Sequence, residues 1–117
     1  MTSARLQVAG DPALALVVRI FVGATAERWA VQSSVRDDLR LAASELFSGA
    51  VETGHDRPIV FELTSTDDGV ELRTEDVPTS APPAGLEGWE RRFDLIRALF
   101  PDAEVGDTVR IRVPTDA

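Results

Sequence analysis

Glu45 and Gly49, one helical turn apart, are the positions of this 117-residue chain where residue type and spacing first raise a question of chemistry. They lie within residues 35–54, VRDDLRLAASELFSGAVETG, whose apolar residues recur at helical spacing. Glu45 puts a carboxylate on this amphipathic helix. A glycine in a helix interior costs about 1 kcal/mol relative to alanine, so one that is kept there invites a functional question. Arg91 and Arg92 are the densest basic pair, surrounded by Glu87, Glu90 and Asp94. Solvated helix charges are the plain expectation for them. Other chemistry is restricted. There is no cysteine, and the single histidine, His55, cannot build a zinc site alone and is expected in a wet loop without a role. No metal site made of thiolate or imidazole is expected.

Composition narrows the class further. A chain of this length that is 44% hydrophobic can bury one core, so residues 1–117 are expected to form a single domain. With 12 Lys plus Arg against 20 Asp plus Glu, the net charge of −8 opposes contact with a phosphate backbone, and nucleic acid is not an expected partner. The densest apolar stretch, residues 13–22, is interrupted by Arg19 and too short to span a bilayer, and the first ten residues do not read as a leader. The expectation is a soluble, cytoplasmic protein away from membranes.

Residue patterning then supplies the elements. Residues 5–9 read as a short strand ended by Gly10. Asp11 and Pro12 suit the start of a helix in which Leu14, Val17, Val18, Phe21, Ala24 and Trp29 recur, with Leu16, Ile20 and Val22 widening the apolar face. A face that broad is buried or turned to a partner. Ser33 and Ser34 offer the next N-cap, Leu39, Ala42, Ala43, Leu46, Ala50 and Val51 form the stripe of the second helix, and Gly54 ends it. From Ile59 the period falls to two. Ile59, Phe61, Leu63 and then Val70, Leu72 alternate with polar neighbours around the reverse turn Thr66-Asp67-Asp68-Gly69, which predicts an antiparallel hairpin. Residues 74–88 are broken by prolines and glycines and read as a loop. A third helix follows through Trp89, Phe93, Ile96 and Leu99 until Pro101, and residues 107–114 form a closing strand. Trp29 and Trp89 could be core anchors or partner-facing aromatics, and core is the commoner outcome for residues on apolar stripes. The order predicts an α+β fold: a two-layer sandwich, its mixed or antiparallel sheet carrying the helices on one face.

Residues 41–54 read Leu-Ala-Ala-Ser-Glu-Leu-Phe-Ser-Gly-Ala-Val-Glu-Thr-Gly. Together with the helix through Phe93 to Phe100, this segment resembles the histidine-kinase-like ATPase (GHKL) superfamily, most closely its small bacterial anti-sigma-factor serine kinases. The motif of that family, L-A-x-S-E-L-x-x-N-A-x-x-x-G, is matched at every stated position but one. Gly49 stands where an asparagine would coordinate the magnesium that bridges the ATP phosphates. The second family motif, D-x-G-x-G, supplies an acid for the adenine amino group; here it falls on residues 75–80, with Glu75 or Asp76 as the acid according to register, and the glycines are missing. A third, G-x-G, aligns to Glu90-Arg91-Arg92 when residues 95–99 are matched to the family's L-V-R-A-L. Gly85 and Gly88 could replace it only if the match slides by several residues.

The resemblance implies a nucleotide-binding scaffold whose phosphate and metal groups are eroded. In such kinases the residue matching Glu45 is the general base toward a serine hydroxyl, a role that needs magnesium and a placed γ-phosphate. Without them Glu45 is expected to be a polar residue on a partly exposed helix face. No cofactor is expected; ATP and magnesium would be the cofactors if the site works, with Glu75, Asp76, Arg91 and Arg92 lining a vestigial pocket. The favoured function is a regulator acting by protein contact, with a sigma factor or a STAS-type anti-anti-sigma protein as the implied partner and a homodimer possible. The alternative is an active ATP-dependent serine/threonine kinase. A third reading, an unrelated α+β domain that mimics one motif, would lack the long helix packed beside the hairpin sheet.

Overall fold

A computed structural model describes residues 1–52, 57–75 and 89–115, with the backbone alone at 89 and 90. Five strands, β1 (Thr2–Val8), β2 (Ile59–Thr66), β3 (Gly69–Glu75), β4 (Glu104–Val105) and β5 (Thr108–Val113), make one sheet in the order β1-β2-β3-β5-β4. Every pairing is antiparallel, which decides between the two sheet types that the patterning leaves open. Three helices accompany it: α1 (Ala15–Arg28), α2 (Ser33–Glu52) and α3 (Trp89–Leu99).

Alternation along the strands separates two faces. Val8, Ile59, Phe61, Leu63, Val70, Leu72, Val109, Ile111 and Val113 turn inward and are buried with Val18, Val22, Leu39, Leu46, Phe47 and Ile96 of the helices. The opposite face is a charged ladder, in which register places Arg5 beside Glu62, Glu62 beside Arg73, and Arg73 beside Arg110. Arg110 and Arg112 both reach Glu71 and Glu104. The helices therefore lie on one face, as patterning predicts.

The local signals act at shifted positions. Asp11 caps a 3₁₀ turn, Pro12–Leu14, rather than α1 itself; its carboxylate accepts the Ala13 N–H at 2.9 Å. The corner between α1 and α2 carries a Schellman closure, with the Val31 N–H donating to the Ala26 carbonyl at 3.0 Å and the Ala30 N–H to that of Glu27 at 3.1 Å. Ala30 holds the left-handed position at φ 61°, where glycine is usual. The hairpin turn is as predicted, with Thr66 paired to Gly69 across Asp67 and Asp68. Gly69 is required there: its φ is +147°, and a Cβ would lie 2.1 Å from the Val113 carbonyl oxygen. β1 begins at Thr2, earlier than its weak alternation suggests, because pairing with β2 supplies the ladder that its own residues advertise poorly.

α3 has the thinnest apolar attachment. Phe93 and Ile96 are its fully covered apolar side chains among the described residues. Their burial contributes about 1.5–3 kcal/mol each. Ordering the backbone of its 11 residues costs about 1–2 kcal/mol per residue, so its remaining ties to α2 carry weight.

Candidate functional site

Helical periodicity sets Glu45, Gly49 and Glu52 of α2 one above another, at i, i+4 and i+7. α3 packs beside this face and brings Arg92 onto it. The guanidinium donates from one terminal nitrogen to Glu45 Oε2 at 2.6 Å and from the other to Glu52 Oε1. Arg92 thus spans two turns of α2, with Gly49 between its two partners along the helix. Its side chain is only 21% exposed and that of Glu45 26%. The Arg92 Nε is buried with no partner, so the contact secures the tip of the guanidinium and not its whole donor set. Burial is the largest single influence on Arg92 and works against its charge. The hydrogen bonds and charges of Glu52 and Glu45 together outweigh it and raise the pKa above the ordinary arginine value.

This corrects the expectation for Arg92, which is a covered cation shared by two carboxylates and not a solvated helix charge. Arg91 is exposed and makes no ion pair among the described residues. Glu45 is mostly covered and keeps a smaller part of its side chain toward solvent. Gly49 is buried in the seam. Glu75 is on the wrong side of the sheet for this group: it is exposed on the charged face, hydrogen-bonded to Arg73, and that bond holds its carboxyl below the usual range. The neighbouring Thr74 points inward and is buried, with its hydroxyl donating to the Val60 carbonyl at 2.8 Å. Asp76 lies outside the described residues. So do His55, Gly54, Gly85, Gly88 and the side chain of Trp89. Trp29 packs against the core half-buried.

The described residues do not fit a magnesium–nucleotide group. Gly49 offers no oxygen ligand, Glu45 and Glu52 are occupied by Arg92, and among the described residues no three acidic, histidine or cysteine side chains gather as metal ligands. Glu52 is the site residue that sequence reasoning missed; its seven-residue spacing from Glu45, across the anomalous glycine, was the available signal.

A second feature lies on the outer side of α1. Leu16 is 56% exposed and Ile20 60%, and with Leu41 of α2 they line an open groove edged by Arg19, Asp37, Arg40 and Ser44. Val18, Val22 and Ala26 face the core, so this helix is apolar on both sides. At Gly23 the helices approach so closely that a Cβ would lie 2.7 Å from Arg40 Cδ. No helix among the described residues is long and apolar enough to cross a membrane.

No curated protein matches the chain. The family model of the histidine kinase-like ATPase domain matches residues 8–110, and with the sheet, the long helix and the terminal helix–strand pair all in place, the chain belongs to that family.

Proposed function

We propose that this protein is a regulator of the anti-sigma type that works by binding another protein and has given up magnesium–ATP. The observation that carries the reading is the Arg92 contact with Glu45 and Glu52: the carboxylate that would serve as base is held by the chain's own cation, opposite a glycine that cannot ligate metal. A divalent cation entering beside Arg92 would meet a fixed positive charge, and a triphosphate without its metal would face a protein of net charge −8. Glu45 therefore acts structurally, as an anchor for α3. The exposed apolar side of α1 supports the protein-binding half of the reading, since clustered exposed Leu and Ile side chains mark interaction sites. A sigma factor or a STAS-type anti-anti-sigma protein is the partner class implied by the family resemblance.

Isothermal titration with magnesium–ATP tests the reading. No heat is expected up to millimolar ligand, from the wild type or from Gly49→Asn, because restoring one ligand leaves Arg92 in the seam. Micromolar binding by the wild type would replace this proposal with the serine/threonine kinase, and recovery of tight binding by Gly49→Asn alone would show that residues 75–92 still cradle phosphate.

A further inference from the structure

We infer that Arg92 is a built-in cation that docks α3 on α2 from within the chain, so that the seated position of α3 needs no bound metal or nucleotide. The inference rests on the reading of the seam given above and adds what regulates it. Three observations carry it. Arg92 reaches two acceptors two turns apart on α2, a span that fixes both the height and the rotation of α3 against its neighbour. α3 is otherwise held among the described side chains by the buried pair Phe93 and Ile96, which lie one helical turn apart on a single stripe and leave its polar remainder facing outward. Glu45 and Glu52 already lie on the same face of α2, with a buried glycine between them.

Arg92 is thus a positioning residue acting through two carboxylates, and its charge is what does the positioning. The pair is covered but not sealed, since Arg92 is 21% and Glu52 36% exposed. Salt will therefore screen it in part. An internal charge pair of this kind makes the docking of α3 respond to ionic strength and not to nucleotide.

Amide hydrogen exchange of residues 91–99 decides the matter, measured on the wild type, on Arg92→Met and on the double variant Glu45→Gln with Glu52→Gln. Each variant is expected to exchange in α3 about tenfold faster or more, with α1 and the β2–β3 hairpin unchanged. Raising salt to about 1 M should speed α3 exchange severalfold in the wild type and leave Arg92→Met as it was, a difference that mere loss of packing would not produce. Unaltered α3 exchange in the variants, or equal salt sensitivity in wild type and Arg92→Met, would overturn the inference. Should Arg92→Met fail to fold, the glutamine pair carries the same test, since it keeps the shape of the seam and removes the two negative charges. Failure of the functional reading shows separately, as heat in the magnesium–ATP titration, whereas failure of the clamp shows only in exchange.

Discussion

The seam between α2 and α3 and the outer side of α1 reverse the usual arrangement of a globular surface. In the seam, a charged arginine is mostly covered, and one of its two partners, Glu45, lies in the stretch that resembles the family's motif. On α1, Leu16 and Ile20 are more than half exposed with nothing described above them. Covering a cation is costly unless it is paired, and leaving leucine and isoleucine more than half in water forgoes a large part of the about 1.5–3 kcal/mol that full burial of each contributes. The protein accepts both. On the function proposed above, Arg92 closes the seam from within the chain and the apolar side of α1 is the surface left for binding.

The strongest way to break that contrast is on α1. Leu16→Ser combined with Ile20→Ser should lower retention of the protein partner by about tenfold to a hundredfold in a quantitative pull-down, in keeping with the weight of central apolar contacts. Stability should stay within about 0.5 kcal/mol per substitution in urea unfolding, because both side chains already face water. Unchanged capture would move the interface elsewhere. The reverse pattern is expected in the seam, where Arg92→Ala should lower the unfolding free energy by about 1–3 kcal/mol, the range for hydrogen bonds to charged groups. Its pKa is raised in the folded protein, so this contribution is complete below the ordinary arginine pKa and is lost only as pH climbs through the still higher folded value. The difference between wild type and Arg92→Ala should therefore stay constant from about pH 7 to pH 10 in denaturant titrations. A smaller effect tests the corner joining the two regions. Ala30→Gly should raise stability by about 0.5–1 kcal/mol, because glycine relieves the left-handed residue that closes α1.

What the sequence makes legible follows the range of the interaction. The hairpin is readable because period-two alternation and a glycine-ended turn are local, and Gly69 proves indispensable for the steric reason that turn chemistry supplies. The stripe of α2 is readable because Leu39, Ala42, Ala43 and Leu46 repeat at helical spacing and all are buried. β4 is invisible beforehand: two residues carry no period, and Glu104 and Val105 become a strand only because β5 lies alongside. The Schellman closure is missed because alanine occupies the place of the expected glycine. In the site, Glu45 and Gly49 stand out by motif. The charge state of the seam does not, since Arg92 and Glu52 are 40 residues apart and only the packing of α3 brings them together. Glu75 shows the same limit in reverse, because its register as a possible nucleotide contact depends on which side of β3 it takes.

The charged ladder on the outer side of the sheet has a bearing beyond its own ion pairs. Arg5, Arg73, Arg110 and Arg112 stand there against Glu62, Glu71, Glu75 and Glu104, and the two sets cancel. The helices balance in the same way, seven arginines against seven acids, so the net charge of −8 belongs to the residues between and beyond these elements. The outer side of the sheet is therefore a surface dense in charge yet neutral in sum, which exerts little long-range pull on a charged partner and favours one that matches its pattern at contact.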